Sequence, residues 1–442
     1  MKSDYTRDVS DEMMKELKEG AFRHFVQFVK KQPELALCFR GNDTANGKVI
    51  IYQNNHVIWE LSLPVDNPHK NTYHPKVEIN ANHARFMKNW QEVVKSLMDL
   101  GFRGSKGADY AKLEKDKALV KRSIKDKDTN PSYTYNIGNL TFNPKDRENT
   151  NSFVDGKFTE YFVKKSFEIL AEMQKEYFNP TYKKSAEKYE MEDRPINFFK
   201  KYYFDLHPDK KDEDKNKNLA CRNQDGVEKH AQQKLFLRNH ELKSGIFVYD
   251  LEFTQPAVPK FNAPAAEKGK ETQKKTNNKP DMFGIRFDDK GNPVVICMIE
   301  VKSTESALDK NSGVKAHFEG MTKYVKAKRG KSKTEPETGI SLMEDRKKEA
   351  CNILNQYREL GLYGVEKKYE KRAFENLPVE IILAFTHDLK SKKIEKRKKN
   401  WDLPGEGKWF HYEYPTLKKV DDPAAEYEYY IVKYDYNQTC GE

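Results

Sequence analysis

Glu300 and Lys302 close an apolar run, Met298-Ile299-Glu300-Val301-Lys302-Ser303-Thr304, and Asp281 lies upstream in Lys279-Pro280-Asp281-Met282-Phe283-Gly284-Ile285. In an extended strand, residues two apart project from one face, so Glu300 and Lys302 share a face. Between the two phrases, Arg286-Phe287-Asp288-Asp289-Lys290-Gly291-Asn292-Pro293 reads as the turn of a β-hairpin. That turn sets Asp281 on one strand and Glu300 with Lys302 on the next. Two carboxylates and an ammonium at one sheet edge suit a hard divalent cation that activates water beside a phosphate.

Such a hairpin needs a frame. Residues 294–299 are almost wholly apolar, the pattern of a strand buried on both faces, and a Glu and a Lys at its end need a reason. A strand is expected over 247–253, a buried strand over 379–385, and a last strand near 429–434. Helices are expected over 226–240, within 312–328 and over 344–360. The order is α-β-β-β-α-(α)-β with a further strand at the end. Residues 256–279, rich in Pro, Ala, Lys and Asn, read as a loop, and 328–333 as a basic loop.

The N-terminal part reads differently. An amphipathic helix is expected over 9–32, then strands over 35–40, 48–53 and 56–63, a short strand at 77–79 and a helix over 83–100. Asn46-Gly47 and Asn54-Asn55 supply the turns. Residues 1–105 therefore read as a small α+β module. Residues 106–205 read as a largely helical connecting region, polar and lysine-rich to about 151, with a long helix over 158–178. Residues 206–221, carrying both charge signs and almost no apolar side chain, read as a charged linker, and 222–442 as the domain that holds the hairpin.

Element order and acidic positions together resemble the PD-(D/E)xK phosphodiesterase superfamily, the restriction-endonuclease-like fold. Pro280-Asp281 is similar to its proline–aspartate element and Glu300-Val301-Lys302 to its (D/E)xK element, over roughly half the chain. The fold implied is α/β (α+β over the whole chain), a mixed-sheet core with flanking helices behind an α+β N-terminal region. The resemblance implies that Asp281 and Glu300 hold Mg²⁺, with Mn²⁺ as a substitute, that the Val301 carbonyl faces the same ion, and that Lys302 stands beside the attacking water. An acidic residue on the first core helix joins the ion in many members, and Glu228 suits that position. Lys315, Lys323 and Lys326, with Ser303 after the catalytic lysine, would contact the nucleic-acid backbone, and His317 and Tyr324 fall on the same helix. Some branches carry Gln four residues before this tyrosine; here the slot holds Gly320. The activity implied is metal-dependent hydrolysis of nucleic acid, with DNA favoured and RNA left open, in the manner of a prokaryotic defence or restriction effector.

Composition agrees with a polyanionic partner. The 442 residues carry 80 Lys+Arg against 69 Asp+Glu, a net charge of +11, while 37% hydrophobic and 12% aromatic content suffice to build cores. Five scattered cysteines without a C-x-x-C pair indicate neither a disulfide framework nor a structural zinc site, and so a cytoplasmic setting. No apolar stretch approaches the ~18 residues of a membrane span. A G-x-x-x-x-G-K-[ST] phosphate loop, a helix-turn-helix and a zinc-finger pattern are absent from the sequence. His83 and Arg85 read as residues at a helix start, and the lysines and arginine of 391–400 as a phosphate-contacting loop or a solvated hairpin tip. Two other readings stay open: a non-catalytic nucleic-acid-binding or scaffolding protein on such a fold, and a transposase or recombinase subunit. A partner protein or activating ligand acting through the N-terminal region, and assembly into a homo-oligomer, are also compatible with the sequence.

Overall fold

Long apolar periodicities in the sequence become two large sheets in the computed structural model. It describes residues 7–41, 46–53, 56–67, 72–81, 84, 87, 89–104, 139–142, 144, 150–178, 231–240, 245–251, 280–303, 313–330, 337–386, 401, 403, 407–413, 416–422 and 427–435. The chain divides into two units, one of Met1–Asp8, Cys38–Asp43 and Val227–Glu442, the other of Val9–Leu37 and Thr44–Gly226. Calls that fall on Glu228, His230, His83, Arg85, the linker 206–221, the loop 256–279 and residues 391–400 lie outside the described residues.

The unit with the hairpin is a mixed α+β structure. Its strands are β1 (Phe247–Leu251), β2 (Met282–Phe287), β3 (Pro293–Lys302), β4 (Val379–Phe385), β5 (Lys408–Glu413), β6 (Lys418–Val420) and β7 (Tyr427–Tyr434). They form one sheet in the order β1-β2-β3-β4-β7-β5-β6. β1, β2 and β3 run antiparallel in turn, whereas β3 and β4 are parallel. A parallel pair cannot be joined by a tight turn and needs a crossover. It contains α2 (Val314–Val325) and α3 (Leu342–Leu360), while α1 is the helical stretch 231–238 ahead of β1. Sequence caps fix α3: the Ser341 hydroxyl accepts from the Met343 amide at 3.1 Å, and Gly361 ends the helix at φ 62°.

β3 is buried at nine of its ten positions, as its apolar run predicts. Its hairpin with β2 turns on Asp288, whose carboxylate accepts from the amides of Lys290 and Asn292, and on Gly291 at φ 72°. Gly284 in β2 sits where a Cβ would come within 2.7 Å of Ile246, so the close approach of β1 requires a glycine there.

In the other unit the strands 48–53, 56–62, 76–80, 139–142 and 103–104 pair in that order. Phe25, Trp59, Phe142, Phe158 and Phe162 fill its aromatic core, with Phe25 edge-on to Trp59 at 5.1 Å. Three expectations change. The single helix expected over 9–32 is two, Asp11–Lys18 and Arg23–Lys31, because the chain breaks at Gly20 and the Glu16 carboxylate takes the Ala21 amide at 2.6 Å. The polar passage 106–151 contributes the strand Asn139–Phe142, which pairs with Lys76–Asn80. The helix expected over 83–100 is described as Trp90–Asp99. In the hairpin-bearing unit, the basic loop at 328–333 begins as a strand, Lys328–Gly330, paired with Glu337–Ser341.

Candidate active site

The backbone first brings the phrases together. Met282 pairs with Ile299, so two residues further along Pro280 falls across from Val301. In an antiparallel ladder a residue turns its amide and carbonyl to the same neighbour. Proline has no N–H to give, so the Val301 carbonyl receives nothing from Pro280. The Val301 amide turns instead to the Asp281 carboxylate, donating to Oδ2 at 2.7 Å. Asp281, half-buried, is thereby fixed at the end of β2 beside Glu300, with the Val301 carbonyl on the same side.

Glu300 and Lys302 lie deeper, at 1% and 3% exposure of their side chains. Lys302 Nζ donates to Glu300 Oε1 at 2.6 Å. His317, on α2, brings its Nδ1 to the same oxygen at 2.7 Å. Burial raises the cost of charge on Glu300, but the Lys302 ammonium and the His317 hydrogen bond outweigh it and hold the carboxyl below its ordinary range. Glu300 Oε2, equally buried, has no hydrogen-bond partner among the described residues. An ionised carboxylate oxygen without a donor is costly in a dry interior and is the natural seat of a cation.

A hard ion fits these residues. The donors are all oxygens, one of them vacant, and Mg²⁺ is held through one or two carboxylates with the remaining positions left to water and substrate. Among the described residues no group of three or more His, Cys, Asp or Glu side chains converges on one point. Asp281, Glu300 and the Val301 carbonyl are the groups that would hold such an ion.

Other predicted residues fall elsewhere. Ser303 follows β3, fully buried, and its hydroxyl has no partner among the described residues; Thr386, just after the parallel neighbour β4, is in the same state. The Thr386 amide binds the Lys302 carbonyl at 2.9 Å, so the two hydroxyls end adjacent strands. Lys315, Lys323 and Lys326 are exposed. At about 100° per residue they lie on the side of α2 away from His317, Met321 and Tyr324, so they are not brought to the carboxylates. Sequence reading placed His317 on the helix that carries these lysines and missed its bond to Glu300. The signal was the stripe His317, Met321, Tyr324, spaced four and three apart, that marks the inward face of α2.

A second buried ion cluster sits in this unit. Arg7 Nε and Nη2 each donate to Asp250 at 2.7 Å, and Arg40 Nη1 donates to it at 2.7 Å. Arg346 pairs with Glu349 at 2.6 Å, and the Arg7 amide donates to Glu349 at 2.7 Å. Burial pushes the Asp250 carboxyl up to about 6 against the pull of Arg40, and pushes Glu349 well up against that of Arg346. Among the described residues no helix is long and apolar enough to cross a membrane. No protein-family model, no curated protein and no solved structure matches the chain.

Proposed function

We propose that this chain is a metal-dependent nuclease whose core is of the restriction-endonuclease-like type, hydrolysing phosphodiester bonds of nucleic acid, DNA in preference to RNA. The observation that carries the reading is the vacant, buried Oε2 of Glu300, held between Asp281 and Lys302 at the end of an apolar strand. The order of β1 to β4, three antiparallel strands and a parallel fourth, supports it. A Mg²⁺ or Mn²⁺ ion held by Asp281, Glu300 and the Val301 carbonyl would supply Lewis acidity and a water nucleophile. Lys302, turned from Glu300 to the substrate, would set its ammonium where negative charge develops on the phosphorus oxygens, and burial would strengthen that attraction. Asp281 also pins the Val301 amide, so it sets the backbone that carries Glu300 and Lys302. The unit built from residues 9–37 and 44–226 is assigned to recognition of a partner or activating ligand. A cytoplasmic defence or restriction role follows by analogy of fold and composition alone.

Incubation of the full chain with plasmid, linear DNA and RNA, in Mg²⁺, Mn²⁺ or EDTA, tests this. Cleavage should require the metal and vanish in Asp281→Ala and in Lys302→Ala. Cleavage that survives EDTA, or that survives both substitutions, would remove the proposed mechanism.

A further inference from the structure

Glu300 carries an asymmetry that its strand neighbours do not explain. Both donors converge on Oε1, Lys302 Nζ at 2.6 Å and His317 Nδ1 at 2.7 Å, while Oε2 is left bare. The last torsion of a glutamate is soft and roughly two-fold, so without a directing donor the carboxylate rotates freely between equivalent settings. Lys302 directs it poorly. It is a flexible side chain on the same strand, and the proposed mechanism requires its ammonium beside the phosphate rather than on Glu300. When Lys302 turns away, one donor remains. That donor belongs to a different element, α2, and its rigid ring fixes the distance between helix and carboxylate.

We propose that His317 is a positioning residue: its Nδ1–H holds Glu300 Oε1 so that Oε2 faces the divalent cation and Lys302 is released to the substrate. The inference rests on the nuclease reading above. Hydrogen-bonded partners of ligating carboxylates are known to set metal affinity, at about 10–100-fold per partner removed. His317 is itself 29% exposed, so truncating it opens no cavity in the core. The chemistry also distinguishes the two ring nitrogens. An asparagine places its amide nitrogen close to where Nδ1 lies, whereas alanine offers no donor.

Binding of Mn²⁺ to the full chain, followed by electron paramagnetic resonance of the free ion without substrate, separates the outcomes. His317→Ala should weaken Mn²⁺ about 10–100-fold against wild type, and His317→Asn should recover most of the loss, with unchanged thermal midpoints. Cleavage should show the same order as a shift in the Mn²⁺ concentration for half-maximal rate, recoverable at high Mn²⁺. Equal Mn²⁺ affinity in wild type and His317→Ala overturns the positioning role and leaves the nuclease reading intact. Equal weakening in His317→Ala and His317→Asn overturns it too, because the Nδ1 bond is then not the cause. If wild type binds no better than Glu300→Ala, the metal reading itself fails, and this inference with it.

Discussion

Replacing Asp250 with alanine should be among the most damaging single changes in the hairpin-bearing unit, although Asp250 takes no part in the proposed chemistry. Its side chain is 1% exposed and receives three hydrogen bonds of 2.7 Å from two guanidiniums, which are themselves 2% and 10% exposed. Arg40 spends another donor on the Leu251 carbonyl. Truncation removes the carboxylate that both buried guanidiniums bind, a loss of about 3–5 kcal/mol. For a unit of this size 1 kcal/mol moves the midpoint by about 2–4 °C, so Asp250→Ala should melt roughly 6–20 °C below wild type. The cluster as a whole is another matter. Burial outweighs the arginines in setting the Asp250 carboxyl at about 6, so the charged arrangement gains little over an apolar one. The triple variant Arg7→Met/Asp250→Leu/Arg40→Met should therefore recover most of the loss. Urea unfolding at pH 7 with calorimetry reads both. An Asp250→Ala cost below about 1 kcal/mol, or a triple variant as unstable as the single, would refute the reasoning.

Three further outcomes follow from the same physics. Burial pushes His240 down to about 3 while its Nδ1–H donates to the Val248 carbonyl at 2.6 Å, so its stabilising contribution is complete above pH 6.5 and falls as the unfolded chain takes up a proton. Between pH 7 and pH 5 wild type should lose about 2 kcal/mol more than His240→Asn in urea titrations, and parallel losses would contradict this. Gly284→Ala should cost about 1–3 kcal/mol, since its Cβ would meet Ile246 at 2.7 Å and the Phe247 carbonyl at 3.1 Å, and an unchanged melting curve would show that β1 yields freely. Glu300→Leu/Lys302→Met should abolish cleavage while leaving stability unchanged or up to about 4 kcal/mol higher, and a clear loss of stability would mean that the pair is kept for structure.

Local features were legible where the chain carries its instructions within a few residues. The apolar run 294–299 announced a buried strand, Lys279–Pro293 announced a strand and its turn, and Val379–Phe385 is the strand its composition predicts. The alternation in 408–413 is weak, with Trp, Phe, His and Tyr side by side, so that strand was not seen. Asn139–Phe142 was missed because four residues cannot establish a period against a polar background. Contacts between distant segments left no trace at all. Arg7 meets Asp250 across 243 residues, and nothing about a lone arginine near a chain start foretells it. The same limit hid the His317–Glu300 bond: helix periodicity could place His317 on an inward face but not opposite a particular carboxylate.

Burial alone does not separate an ion pair kept for chemistry from one that merely packs, since Asp250, Glu300 and Glu349 are all nearly inaccessible. Satisfaction of the carboxylate does. Asp250 has donors on both oxygens, so its charge is compensated within the protein. Glu349 lacks a partner on Oε1 among the described residues, but burial pushes its carboxyl well up against the pull of Arg346, so charge is disfavoured there. Glu300 differs from both. Its carboxyl is held low by Lys302 and His317, so it stays ionised, and yet Oε2 meets no donor among the described residues. Leaving a buried charged acceptor unmet costs more than the ~1–3 kcal/mol of a neutral one. Two further unmet hydroxyls, on Ser303 and Thr386, end the same pair of parallel strands. Strand packing could have removed these penalties by substituting apolar side chains of similar size. A ligand that brings positive charge to Glu300, as the proposed hydrolysis requires, would account for their concentration at one end of β3 and β4.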